Sequence, residues 1–541
     1  MASGAQKTQD SAGAWRGAER SGTAIGAYLV FTAFLSGAIV MVIELLGSRI
    51  IGPPFGVSLF VWTSLITVAL VSLAIGYWFG GRLADRRASC GALFSIILLA
   101  GAFVLSIPLI KGVVIGKAVY LGLRAGSLAS SAVLFGPPLF LLGMVSPYTV
   151  KLYMRDGMGV GRTVGWLYAV STLGSVTGTV LTGFILIPNL GVNNIIYLSA
   201  FVLFGISAAY WAVFMRKPLA VALMALPAVF FFIPDELPSI TRPDGTSVSV
   251  VMSKDSPYGQ IKVVDYSYGD TRYREFLLEN IIQGAIDVTT GLPISKYTYY
   301  AEQLAITYRP DSERALVIGL GSGILPKRFS RYGISTDIVE IDRTVIDTAS
   351  KYFSFDPGKH RIFIQDGRYF LKSPGEDYDV IFLDAFSGDT PPSHLVSIEA
   401  FELMKKRLSS GGVLLINFIG ESRTGTHEVP SMLKGTLKRV FSHVDVYASA
   451  GYFSDTPQVV NLLFAAYDGE RDIDGGFVPD DVFPPFIEDL KGLYSRKIPL
   501  EKTGGILFTD DHNPIDFHDL KTRERFRESI ISSTDSAVFI H

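Results

Sequence analysis

Cysteine is nearly absent. Cys90 is the only one in 541 residues, which excludes an internal disulfide and any metal centre built from cysteines. Acidic residues are scarce in the first half, where Ile25 to Pro234 contains only Glu44, Asp85 and Asp156. Histidine is missing there too, since all seven lie at His360 or later. No basic run with interleaved aromatics occurs and the net charge is −2, so nucleic acid is not an expected partner. The averages of 49% hydrophobic and 18% charged residues therefore blend two unlike halves, and the length exceeds that of one ordinary domain.

What the first half has instead is apolar blocks. Crossing roughly 30 Å of hydrocarbon takes about 20 mostly apolar residues. Segments of that kind lie at 25–47, 57–80, 91–110, 129–150, 165–187 and 194–215, with a weaker one at 218–234 bearing Pro218, Pro227 and Pro234. The expectation is a multi-pass helical membrane domain over 25–234 with six to eight spans, preceded by a disordered tail over 1–24. The first block is too long for a signal-peptide core and has no cleavage site, so it is expected to be retained. Eleven Lys and Arg residues fall in the tail and the alternate loops (Arg82, Arg86, Arg87, then Lys151, Arg155, Arg162, then Arg216 and Lys217), against four on the other side. That excess puts the N-terminus in the cytoplasm. Seven spans would then export the C-terminal half. The expected resolution is that 218–234 re-enters or lies at the interface, or that a further crossing hides in 111–128. An inner-membrane location with the soluble half in the cytoplasm follows.

Glu44 is an acid inside a span (VMVIELLGSRI), a costly position that predicts either pairing, with Arg49 nearest, or a polar pathway. GYWFGGRLADRR resembles the cytoplasmic loop motif of major-facilitator transporters, which supports topology more than transport.

After Pro234 the pattern changes. SVSVVM, QIKVVDY and RYREFLL alternate as antiparallel strands do, which predicts a small β subdomain over 235–295. From 296 to 541, ALVIGL, STDIVEID, RIFIQD, DVIFLDAF and GVLLINFI are strand-like runs separated by helical stretches, the pattern of a Rossmann-like, doubly wound α/β domain. PQVVNLLFAA reads as a late strand, with Asn461 facing the site. The turn after the first of these runs is Gly319-Leu-Gly321-Ser322-Gly323, suited to close approach by a nucleotide. Glu340 ends the next strand about twenty residues on, where a ribose diol is held. Asp366, followed by Gly367, ends the third, at a place suited to an adenine amine. The G-x-G-x-G spacing favours S-adenosylmethionine-type nucleotides over dinucleotides. His512 and His518 near Asp510 and Asp511 are read as part of a loop closing over the site, with no metal expected.

LENIIQ (Leu278–Gln283), YAEQLA (Tyr300–Ala305), VEID (Val339–Asp342), QDG (Gln365–Gly367) and FLDAF around Asp384 resemble, in order, motifs of the spermidine synthases, over about 250–465. The whole chain resembles fusions of a transporter-like membrane region with such a domain. The resemblance implies that Glu340 holds ribose and Asp366 the adenine amine. Gln283 and Tyr300 would line the sulfonium-side arm, and Asp384 would orient and deprotonate an attacking amine. Three positions depart from the family: Ser322 replaces a loop Asp, Ser387 replaces a second carboxylate with Asp389 nearby, and Ala301 replaces His or Gln. These changes lean towards intact S-adenosylmethionine and away from putrescine. The expected activity is displacement at the propyl-side carbon with release of methylthioadenosine, as aminopropyl-type transfer or as a lyase reaction giving a lactone. The sulfonium nucleotide is substrate rather than cofactor, the acceptor an amine or a lipophilic amine from the bilayer, and a homodimer is a further expectation. A methyltransferase and a transporter with a nucleotide-sensing domain are the alternatives.

Overall fold

A computed structural model describes residues 3–56, 59–154, 159–233, 237–386, 388, 391–421, 428–449, 459–471, 473, 476–500, 506–535 and 538. The chain divides into two compact units, Met1–Glu236 and Leu237–Phe539.

The first unit is helical, as long β-poor, apolar runs require where backbone polar groups must be satisfied internally. Its helices are α1 (Ser3–Phe55), α2 (Leu59–Arg86), α3 (Cys90–Ala118), α4 (Gly122–Leu134), α5 (Gly136–Tyr153) and α6 (Val160–Leu181). A π-helical stretch, Thr182–Leu186, and the short α7 (Ile187–Asn189) prolong α6, and α8 (Val192–Ala209) follows. Among the described residues, five helical runs are long and apolar enough to cross a membrane: Ala24–Phe55, Phe60–Arg86, Cys90–Leu134, Val160–Asn189 and Val192–Phe214.

The longest run, Cys90–Leu134, is not a single rod. Val119–Leu121 tighten into a 3-10 turn, Gly122 takes φ +79°, and the chain doubles back. A Cβ at Gly126 would then stand 2.5 Å from the Ala118 carbonyl oxygen. From there α4 passes into α5 through Phe135, which keeps helical dihedrals. The two together lie along α2 in constant register, with Ser127 Oγ 3.1 Å from Ser64 Oγ, Gly76 against Phe140 and Gly80 against Met144. The apolar segment expected at 129–150 is therefore the second part of a longer leg, Gly122–Tyr153. Its hydropathy is diluted by Pro137, Pro138, Ser146 and Pro147. Similar contacts fix the other pairs. Gly174 abuts Phe34 and Gly178 abuts Ala38, so α1 and α6 run parallel. Ser207 Oγ donates to the Phe94 carbonyl while Gly101 meets Leu203 and Phe204, so α3 and α8 run antiparallel. The weak segment after them is a 3-10 turn, Pro218–Met224, and α9 (Ala225–Phe232). It folds back along α8, with Phe230 stacked on Tyr197 at 5.9 Å.

Among the described residues the second unit contains two sheets. β1 (Ser239–Thr241), β2 (Ser247–Ser256), β3 (Gly259–Tyr268), β4 (Thr271–Leu278) and β5 (Ile281–Asp287) form an antiparallel sheet in that order. Glu279 and Asn280 take φ +52° and +61°, the positive pair that a two-residue hairpin turn requires between β4 and β5. After α10 (Lys296–Tyr308), β6 (Arg314–Ile318), α11 (Ile324–Ser330), β7 (Ser335–Glu340), α12 (Arg343–Phe353), β8 (Arg361–Ile364), α13 (Gly367–Lys372) and β9 (Tyr378–Leu383) alternate. α14 (Ile398–Lys406), β10 (Leu408–Glu421), α15 (Glu428–Leu437), β11 (His443–Ala448) and β12 (Val459–Tyr467) complete the second sheet, in the order β11-β12-β10-β9-β6-β7-β8. Neighbours from β10 to β8 are parallel, and β12 is inserted antiparallel.

The chain winds from β6 outward to β8, then returns to β9 on the other flank of β6. That is a topological switch point, and ligands of open α/β sheets bind in the crevice beyond the strand ends there. The smaller sheet shares a core with this side of the larger one, burying Ile261, Val263 and Phe276 with Ile324, Ile338 and Phe353. Among the described residues three further α-helices follow, α16 (Ile487–Lys491), α17 (Ile515–His518) and α18 (Leu520–Ser533). The last of them, with the residues just after it, clamps the small sheet. Arg527 Nη1 donates to the Glu279 carbonyl at 2.8 Å, Arg242 pairs with Asp535 at 2.6 Å, and the buried Lys262 donates to the Val538 carbonyl at 2.8 Å.

Candidate active site

Three glycines make the turn after β6. Gly319, Gly321 and Gly323 take φ +93°, +54° and +74°. At Gly319 space demands glycine as well, because a Cβ would stand 2.3 Å from the Asp384 carbonyl oxygen. The backbone stitches three strand ends together: Asp384 N donates to the Ile318 carbonyl, and Gly319 N to the Val339 carbonyl, each at 2.9 Å. Ser322 is 3% exposed and packs on β5, where a Cβ at Gly284 would lie 2.0 Å from its Oγ.

Glu340, at the end of β7, faces this turn. Its Oε2 accepts from Leu320 N and its Oε1 from Asp342 N, both at 2.9 Å. Burial pushes its carboxyl up to about 7, and those two N–H groups work against that rise by favouring the charged form. A carboxylate has about four acceptor sites, so two remain for a diol. Asp366, beyond β8, caps α13 by accepting from Tyr369 N at 3.0 Å. Its other oxygen lies 3.0 Å from His394 Nε2. Gly367 lets this turn approach β6, since a Cβ there would stand 2.7 Å from Ile318 Cγ2.

Asp384 stands across the crevice. Asn417, on the adjacent β10, donates Nδ2–H to Oδ1 at 2.7 Å, and the Tyr297 hydroxyl lies 3.2 Å from Oδ2. Asn461 Nδ2 donates in turn to Asn417 Oδ1 at 3.0 Å, which fixes the amide's orientation. The same Tyr297 hydroxyl is 3.2 Å from the Gln283 carbonyl, tying β5 to the group. Enclosure pushes the Asp384 carboxyl up to about 6, and the Asn417 and Tyr297 hydrogen bonds keep it from going higher. Tyr297 is raised well above an ordinary phenol, by burial first and by the Asp384 charge second.

The structure thus gathers Gln283, Gly319, Gly321, Ser322, Gly323, Glu340 and Asp384 around one crevice, with Asp366 and Gly367 at the neighbouring strand end. Tyr300 goes elsewhere. Its wholly buried hydroxyl accepts from Arg496 Nη1 at 2.8 Å, and Arg496 pairs with Asp489 at 3.0 Å. The tyrosine that meets Asp384 is one helical turn earlier, at Tyr297. Sequence reasoning missed it, along with Asn417 and His394. The signal for Asn417 was available as the lone polar residue in the apolar run GVLLINFI. Ala301 is buried in the α10 core, and Ser387 and Asp389 lie outside the described residues.

His518 Nδ1 lies 2.8 Å from Glu428, and Asp510 accepts from Arg368 at 2.6 Å and Ser397 at 2.5 Å. The segment read as a closing loop is thereby pinned beside the 393–397 stretch. Among the described residues no group of three or more His, Cys, Asp or Glu stands close enough to hold a metal.

A likeness to a known domain family falls on this same region. The spermine/spermidine synthase domain matches residues 296–451. The polyamine aminopropyltransferase of Vibrio vulnificus is 39% identical over 129 residues, 23% of this chain and 43% of that protein. A probable polyamine aminopropyl transferase of Bifidobacterium longum is 26% identical over 268 residues, 49% of this chain and 54% of that one. The chain thus spans about half, or less, of the length of these two relatives. A probable spermidine synthase from Corynebacterium glutamicum superimposes with a TM-score of 0.38 at 17% identity, over 48% of this chain and 95% of that chain. Residues 296–451 thus match a spermine/spermidine synthase domain, and they follow an N-terminal region of several apolar helices.

Proposed function

We propose that the chain is a membrane-anchored transferase or lyase that cleaves an S-adenosylmethionine-type sulfonium at its propyl-side carbon and releases methylthioadenosine. The observation that carries this reading is Asp384, an enclosed carboxylate held by Asn417 and Tyr297 across the crevice from the glycine turn. In this reading Glu340 takes the ribose hydroxyls and Asp366 the adenine amine. The thioether is a good leaving group, so the reaction needs an aligned nucleophile more than acid catalysis. An amine lone pair attacks the carbon beside sulfur, the C–S bond breaks, and its electron pair neutralises the sulfonium. The proton shed by the new ammonium passes to Asp384. A carboxyl near 6 suits that role, because it is ionised at neutral pH yet more basic than an ordinary aspartate.

Ser322 bears on which sulfonium is used. A small neutral side chain seated on Gly284 puts no charge against the methionine carboxylate, which supports the intact nucleotide. With no amine bound, that carboxylate itself can attack the same carbon, which gives a lactone and the same thioether. If Asp384 serves the nucleophile, Asp384→Asn should cut turnover about a hundredfold or more while nucleotide affinity stays nearly unchanged. Equal turnover in the two proteins would remove Asp384 from the mechanism.

Glu340 supplies a pH test. Its carboxyl titrates near 7 in the free protein, and ribose hydroxyls donate best to the ionised form. Affinity for S-adenosylmethionine should therefore fall by up to about tenfold per unit as pH drops below 7, with proton release on binding. Calorimetry on Glu340→Gln should show weak binding without that slope. An unchanged slope would dissociate Glu340 from the ribose.

Supply of the nucleotide from the cytoplasm requires the C-terminal half to lie there, on the same side as the basic N-terminal tail. In this reading α4 and α5 form a further leg beside the five long apolar runs, so that α1, α2, α3, α4–α5, α6 and α8 would make six crossings and sidedness turns on the stretch from Pro218 to Phe232. Reporter fusions at residues 20 and 541 should give the same sidedness. Opposite results would make 218–232 a seventh crossing and require another source of nucleotide.

A further inference from the structure

Both oxygens of Asp366 already have a partner. Oδ1 accepts from Tyr369 N and Oδ2 faces His394 Nε2, each at 3.0 Å. A carboxylate only accepts, so Nε2 carries the proton of the second bond. Donors on two different oxygens fix the plane of the group, where a single donor would leave it able to turn. The pair is nevertheless open to a ligand, since the side chains of His394 and Asp366 are 49% and 37% exposed.

The backbone that carries His394 is anchored on both sides of it. Ser393–Leu395 form a 3-10 turn. Arg368, buried and two residues beyond Asp366, donates Nη1–H to the His394 carbonyl at 2.9 Å and to Ser397 Oγ at 3.1 Å. Its Nη2 pairs with Asp510 at 2.6 Å, and Asn513 Nδ2 donates to the Ser393 carbonyl at 2.9 Å. Leu395 is buried against Gly367, where a Cβ would stand 3.4 Å from its Cδ2. Asp510 and Asn513, far along the chain, thus serve to hold one turn, and that turn delivers an exposed imidazole to Asp366 at a strand end beside the glycine turn.

We propose that His394 is a positioning residue that makes Asp366 selective for a 6-aminopurine, by holding its carboxylate where an exocyclic amine can donate to it. The inference rests on the reading of Asp366 as the adenine partner, and adds what enforces the choice of base. Adenine offers N–H donors at C6, whereas a 6-oxo purine offers an acceptor there and its N–H at N1. A carboxylate held in place by His394 meets the amine with a hydrogen bond and the oxo group with oxygen facing oxygen, which leaves polar groups unpaired. A carboxylate able to turn could follow the N1–H instead, and the distinction between the bases would fade. His394 acts through Asp366 and needs no contact of its own with the nucleotide.

The test compares binding of methylthioadenosine and of its 6-oxo analogue, methylthioinosine, to full-length protein. Wild type should prefer the adenosine, and Asp366→Ala should lose that preference. His394→Ala should weaken methylthioadenosine about tenfold. Methylthioinosine should bind this variant at least as well as wild type, which also shows that the variant is folded. His394→Gln, which keeps an N–H donor at similar reach, should restore most of the preference. A histidine that only supported the fold would weaken both nucleosides alike when removed, and that result would overturn the proposal. A preference lost in Asp366→Ala but kept in His394→Ala would overturn it while leaving the reading of Asp366 intact. No preference in wild type, or one that survives Asp366→Ala, would sink that reading and the proposal together.

Discussion

The second unit depends on how closely the end of β9 approaches the turn after β6. With no side chain at position 319, the Asp384 carbonyl comes within 2.3 Å of where a Cβ would be. The backbone bonds from Asp384 to Ile318 and from Gly319 to Val339 then lock β9, β6 and β7 at their carboxyl ends. That closeness sets Asp384 and Glu340 on facing walls of one crevice. Burial acts on both in the same direction, pushing their carboxyls up to about 6 and about 7. Only buried donors keep them ionisable: backbone N–H groups for Glu340, and Asn417 with Tyr297 for Asp384. A larger residue at 319 would separate the strand ends and dissolve the arrangement.

The small sheet and the C-terminus complete the far wall. Gln283 lies on β5, whose hairpin turn at Glu279 and Asn280 is held by Arg527 from α18. Lys262, buried on β3, bonds both Asn280 and the Val538 carbonyl. Segments some 250 residues apart in sequence thus fix the position of one strand at the crevice, a coupling that no local pattern reveals.

Much of the site was legible because its parts are local. Glycines at a strand end, and acids at the ends of the next strands, follow from the repeat of strand and helix, and Gly319, Glu340, Asp366 and Asp384 stand at or just beyond the ends of β6, β7, β8 and β9. Tyr297 was not legible, because KYTYY offers three tyrosines within one turn and a half of helix and only the packing of α10 decides which of them points at Asp384. Asn417 and His394 reach their partners across 33 and 28 residues, which spacing alone cannot foresee. In the first unit, apolar runs were plain but their ends were not. The reversal at Gly122 and the straight passage through Phe135 redraw the fourth leg, because proline dilutes its hydropathy without breaking its packing along α2.

The central claim is that the crevice acts on the carbon beside the sulfonium and not on its methyl group. Purified full-length protein should be incubated with S-adenosylmethionine, and in parallel with its decarboxylated form, with and without amine acceptors, and the nucleoside product read by mass. The account predicts enzyme-dependent methylthioadenosine. S-Adenosylhomocysteine would contradict it by showing methyl transfer, and bound nucleotide with neither product would contradict the assignment of Asp384 to catalysis altogether.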